Sequence, residues 1–251
     1  MNATELANLI AEPIQTLGMS FYFDPPTGER AKELGLNVFE FYGLGRAGTL
    51  GDVDASVVTN ALTFFHARTI DFLWSKAKTK ADPVTTARAY LEAAYEFADR
   101  TFGALDVVVL EEFAHAVHRV VASVESGHHL LFDGYRSFDV PSRPVHAAYF
   151  STILLRELRG GAHIDAVSQV GLTPLQACYI QDPTIFTMHG YTDDDVFDVT
   201  PEMREMKERA EVLTSETMAS YFEVLSDDER RQVATGARAM FEALASPAAV
   251  L

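Results

Sequence analysis

Apolar residues in this chain recur every three or four positions rather than every two, a spacing that commits most of it to helices. The clearest stretch is 106–125, where Leu110, Phe113, Ala114, Val117, Val120, Val121 and Val124 fall on one stripe of a 3.6-residue helix. Runs of β-branched or aromatic residues bounded by turns, the mark of strands, are scarce. The chain is therefore expected to be all-α.

Capping and breaking residues divide it further. A first helix is expected over Thr4–Leu17, capped by Asn2 or Thr4, and a second over Glu29–Gly43, stopped by Gly43 and Gly45. Asp54 or Ser56 should cap a helix from Val57 to about Ala77, and Asp82-Pro83 should open one that Gly103 ends. Residues 126–144, with Gly127, Gly134 and Pro141, read as a loop between an N-terminal lobe (1–140) and a C-terminal lobe (141–251). In the second lobe a helix over Pro144–Leu158 meets Gly160-Gly161. A short helix over 162–170, a turn at Gly171 and a helix over 173–182 follow at helix-turn-helix spacing. Residues 187–199 suit a reduced wing or a plain loop, and two helices, from Pro201 and from Asp227, close the chain.

The lone Cys178 allows no internal disulfide, and neither a signal peptide nor an 18-residue apolar run is visible, so a cytoplasmic, membrane-free protein is expected. With 20 Lys and Arg against 36 Asp and Glu, the formal charge of −16 repels polyanions. No segment escapes that balance: even the least acidic, residues 1–80, has seven basic against nine acidic side chains. Gly160 to Met203, the helix-turn-helix region, contains no Lys or Arg and six Asp. DNA recognition needs the opposite.

Several local patterns resemble a family of helical proteins, common in actinobacteria, classed as helix-turn-helix or winged-helix (MarR-like) and mostly without an assigned activity. In the first lobe the carriers are Phe41 to Ala47 with Leu50-Gly51, Val57-Val58 and Phe64-Phe65-His66. In the second they are Leu155-Arg156-Glu157-Leu158-Arg159-Gly160-Gly161-Ala162-His163, similar to a Leu-Arg-Glu-His-Arg-Gly-Asp-Gly-His turn. Leu158 and Gly161 depart from that pattern, where His and Asp are usual. The resemblance implies a helix-turn-helix scaffold, and the departures remove two polar side chains from it.

Two groups of residues suit a ligand site. Arg156 and Arg159 beside His163 can hold an anion at a helix junction, or simply cap carbonyls and pair with Glu157. Tyr42, Arg46, Thr49 and Phe65, with His66 nearby, combine an aromatic wall with polar heads, as organic-ligand pockets do. The leading reading is a small-molecule-binding protein whose inter-lobe pocket takes an organic anion, the lobes packing within one chain or across a homodimer. A cofactor-free enzyme using His163 or His66 as general base is the second reading, and a DNA-binding regulator the third. Glu112, His115 and His118 have metal-site spacing but lie on the polar flank of their helix, so no metal is expected. The pair His128-His129 reads as surface or lobe packing, and Cys178, without a local base, as an inert buried thiol.

Overall fold

The computed structural model describes residues 1–127 and 129–245; among these it has thirteen α-helices, 76% helix and no strand. In chain order they are α1 (Ala3–Met19), α2 (Pro25–Glu33), α3 (Val38–Ala47), α4 (Ala55–Ala61), α5 (Ala67–Lys78), α6 (Pro83–Phe102) and α7 (Val107–Ser123). Then come α8 (Leu130–Arg136), α9 (Pro144–Gln169), α10 (Pro174–Gln181), α11 (Pro183–Met188), α12 (Pro201–Phe222) and α13 (Asp227–Leu244). Capping boxes at Asn2/Glu5, Asn37/Glu40, Thr173/Gln176 and Ser226/Glu229 satisfy the first free amides of four of them.

Helix α9 is the axis of the fold. It is buried around its circumference from Ala148 to Leu155, with α6, α7, α1, α8 and α12 packed along it. Helix α1 lies against α12 and α13, and α13 against α7, so the main core draws on residues from Ala3 to Met240 and runs across position 140. Two smaller apolar clusters serve the helix-turn-helix region. One joins Ala166 and Val167 of α9 to Leu172, Ala177 and Ala210, and the other joins Cys178 to Phe186 and Tyr191.

Several helices run differently from expectation, and packing supplies the reasons. Gly160 and Gly161 do not break α9, although each lowers helix propensity by about 1 kcal/mol. A Cβ at Gly161 would lie 2.4 Å from Cγ of His129, so the glycine is where α8's leading loop presses on the axis. The helix expected over 29–43 is two helices. Pro25 opens the first, and Gly35, at φ +71°, turns the chain before Asn37 caps α3. Helix α3 then passes straight through Gly43 and Gly45, because α6 crosses it there: a Cβ at Gly45 would meet the Tyr90 ring at 2.6 Å.

The helix expected over 57–77 is divided into α4 and α5. The His66 amide donates to the His189 carbonyl at 2.9 Å, and the break sends Phe64 and Phe65 into different apolar clusters. The loop expected over 126–144 contains α8, and residues 189–200 form a turn at 189–190, a 3-10 turn at 193–195 and otherwise irregular chain.

At Gly48 the approach to α6 is closest, with a Cβ reaching 2.1 Å from the Pro83 carbonyl oxygen, a backbone atom that no rotamer change can move. Replacing it with alanine, Gly48→Ala, is expected to cost about 3 kcal/mol through overpacking. Urea unfolding checks this: the midpoint should fall with the slope unchanged.

A cationic cavity at the helix-turn-helix junction

Charged residues at 156 and 159 and the histidine at 163 share one face of α9, because positions three, four and seven apart line up on a helix. They open onto a cavity of about 690 Å³ bounded by α1, α3, the α4–α5 connection, α9, α12 and the α10–α11 pair. That volume is in the range of ligand pockets, roughly 300–1,000 Å³.

Its floor is a buried ion cluster. Arg46 grips Glu157 with two parallel hydrogen bonds, Nε donating to Oε1 at 2.9 Å and Nη2 to Oε2 at 2.8 Å, while its Nη1 donates to the Tyr42 hydroxyl at 2.6 Å. Arg156 Nη1 donates to Glu157 Oε1 from the other side, also at 2.9 Å. Burial pushes the Glu157 carboxyl up, but Arg46 and Arg156 overcome it and hold it below the usual carboxylate range. Two guanidinium groups thus bracket one carboxylate, leaving one positive charge uncompensated. Arg156 is the less committed of the two: its Nε is buried without a partner among the described residues, and its guanidinium lies over the Tyr22 ring at 5.3 Å. Gly18 makes room for it, since a Cβ there would come within 2.5 Å of Arg156 Cδ.

A second cluster of the same make-up lies one turn along α9. Glu211 of α12 accepts from Arg159 Nη2 at 3.0 Å and from Lys207 Nζ. Burial pushes its carboxyl up, and Lys207, His163 and Arg159 bring it down to about 2. His163 Nδ1 is 2.9 Å from the Thr214 hydroxyl, which in turn donates to the Ala210 carbonyl at 2.7 Å. That chain assigns the ring proton to Nδ1 and leaves the Nε2 lone pair bare, 3.8 Å from Glu211. Burial, only partly offset by Glu211, lowers the His163 pKa to about 4, so the ring is neutral at pH 7.

The opposite wall is aromatic: Tyr22 meets Tyr42, Tyr42 meets Phe65, and Phe65 stacks on His189 with ring centres 4.0 Å apart. At its end Cys178 Sγ lies 3.3 Å from His189 Nδ1, and both residues line the cavity. Cys178 therefore does have a base beside it. The pair joins α10 to the residue that ends α11, eleven positions apart, a separation that no local spacing reveals. Burial, with Asp182 adding to it, raises the thiol to about 11, and burial lowers His189 to about 4, so both groups are neutral.

Of the residues singled out in the sequence, Tyr42, Arg46, Phe65, Arg156, Arg159 and His163 line this cavity. Thr49 and His66 do not. Thr49 donates to the Arg46 carbonyl and abuts Gly134, and His66 caps α5, its Nδ1 accepting from the Arg68 amide at 3.1 Å. The two departures from the family motif are structural: Leu158 is wholly buried in the main core, and Gly161 faces His129. His129 is buried, with Nε2 3.3 Å from the Tyr221 hydroxyl, whereas His128 lies outside the described residues. His118 is 3.4 Å from Ser151 Oγ, and no metal-binding group of His, Cys, Asp and Glu occurs among the described residues. Nor is any helix among them long and apolar enough to cross a membrane.

Comparison with known proteins matches residues 7–250 to the model of a family described as a helix-turn-helix family. No curated protein and no solved structure matches.

The buried His163 makes stability depend on pH. Unfolded, it takes a proton near pH 6.5; folded, it resists until about 4, so protonation favours the unfolded chain as the pH falls through that window. Between pH 7 and 5 the loss from this ring should be about 2 kcal/mol. Urea titrations at each pH should show this slope reduced by that amount in His163→Asn, and an unchanged slope would refute the assignment.

Proposed function

This chain belongs to the helix-turn-helix family, and on that premise we propose that it binds a small organic anion in the cavity rather than DNA. The observation that carries the reading is the floor: a carboxylate bracketed by two arginines, one of which, Arg156, uses a single N–H among the described residues, at the base of an aromatic cavity of about 690 Å³. An acidic group placed there would neutralise the surplus charge and meet donors that are already desolvated. Such charge-assisted bonds are worth about 1.5–3 kcal/mol each.

The helix that would read DNA argues the other way. Helix α10 carries no charged side chain, and of its eight residues only Gln181 is exposed. Phosphate contacts supply the affinity of nearly all DNA-binding proteins, and no Lys or Arg lies between Gly160 and Met203 to make them. Kinship with MarR-like winged-helix proteins rests on the first-lobe segments Phe41–Ala47 and Phe64–His66 and on the Leu155–His163 motif, while 189–200 add no strand to it. With its single cysteine reduced, the protein suits the cytoplasm.

A second reading, catalysis without a cofactor, is favoured by one feature: the bare Nε2 of His163 beside Arg159 in the same cavity. A proton acceptor next to a cation can serve proton transfer from a bound acid, although a pKa of about 4 makes this a weak base.

The fluorescent anion 1-anilinonaphthalene-8-sulfonate tests the first reading. It should bind one per chain with enhanced emission, and Arg156→Gln should weaken it roughly tenfold while leaving the neutral probe N-phenyl-1-naphthylamine unaffected. Equal loss of both probes, or binding of neither, refutes it, as would a salt-sensitive shift of duplex DNA.

A further inference from the structure

The mouth of the cavity differs in chemistry from its floor. Five of its lining side chains, Met19, Phe23, Phe39, Leu130 and Met188, are large, apolar and between 40% and 49% exposed. They come from four separate parts of the chain: the end of α1 and the turn after it, the start of α3, the start of α8 and the end of α11. Phe23 and Phe39 face each other with ring centres 5.8 Å apart. The two acids at the cavity edge, Glu12 and Asp165, are exposed and solvated, whereas the cations Arg46, Arg156 and Lys207 are buried or nearly so. A compact anion would use the floor alone, and nothing in its recognition calls for an apolar collar.

We infer that the ligand is a single-tailed amphiphile with a carboxylate head, bound acid first. The head meets Arg156 and Arg159 one helical turn apart on α9, the tail lies along Tyr22, Tyr42 and Phe65, and its far end is covered by the collar. Depth and chemistry agree, since the surplus charge beside Glu157 is positive and buried, and the exposed large apolar side chains that line the cavity are those of the collar. A head-out orientation would leave the carboxylate beside Glu12 and Asp165 and bury an alkyl end against two guanidinium groups. This inference rests on the anion-binding reading above and goes beyond it by fixing the ligand's class and direction.

Displacement of 1-anilinonaphthalene-8-sulfonate by straight-chain carboxylates from hexanoate to tetradecanoate, and by their methyl esters, tests it. Affinity of the acids should rise about fourfold for each methylene buried and level off once the tail clears the mouth. Each ester should bind at least tenfold more weakly than its acid, and Arg156→Gln should erase that gap while keeping the dependence on chain length. Because Arg156 pairs with Glu157, a second variant works where folding is not at risk: Phe39→Ser, at an exposed position, should leave hexanoate unchanged and lower the plateau for the longest acids. Acids and esters of equal affinity, or an affinity flat with chain length, overturn the amphiphile while the dye still binds. Failure of the dye itself would remove the pocket reading on which the inference stands.

Discussion

The fork between Arg46 and Glu157 is the constraint around which this fold is arranged. It joins α3 to the middle of α9 across 111 positions of sequence, and both groups are nearly out of water. Glu157 is the member it cannot lose: without that carboxylate two guanidinium groups would be left charged and desolvated, and breaking a buried pair in this way costs about 3–5 kcal/mol. Elements around it are shaped to allow it. Gly45 and Gly48 bring α3 close against α6, Gly18 makes room for the Arg156 side chain against α1, and Tyr42 accepts from the third guanidinium nitrogen of Arg46. Because two arginines face one carboxylate, the same interaction that closes the core leaves charge at the bottom of a cavity. On the proposed reading, architecture and binding chemistry come from one cluster.

Much of the architecture was legible because its causes are local. The stripe of α7, the capping residues Asn2 and Asp82, and the prolines that open α6, α9 and α12 each act within a turn of helix, and these helices begin near where those signals place them. Glycine misled at two positions. Gly45 and Gly161 read as breaks because their intrinsic propensity is poor, yet in the fold they are contact points where Tyr90 and His129 occupy the space of a missing Cβ. That requirement comes from partners 45 and 32 positions away, outside any window of periodicity.

The candidate site was legible to a similar degree. Arginine beside aromatic residues is an uncommon combination in a core, and it marks Arg46, Tyr42 and Phe65 in the sequence itself. Thr49 and His66, chosen by proximity in sequence, have local duties instead, one donating to the Arg46 carbonyl and the other capping α5. Cys178 and His189 were not linked by any sequence signal, since their approach depends on the turn between α10 and α11 and on Phe65 stacking behind the imidazole. The helix-turn-helix spacing was visible and so was its want of positive charge. Family membership establishes the scaffold, and α10 gives that scaffold an uncharged, half-buried face.

On the proposed reading the buried cluster holds one positive charge in reserve for an anion. Anomalous diffraction from crystals soaked in sodium bromide, collected at the bromine edge, detects that charge without presuming the natural ligand. A bromide peak is expected inside the cavity within hydrogen-bonding reach of the Arg156 guanidinium, absent from Arg156→Gln crystals. Bromide confined to surface sites, with the cavity empty of it, would show that the cluster holds no such reserve.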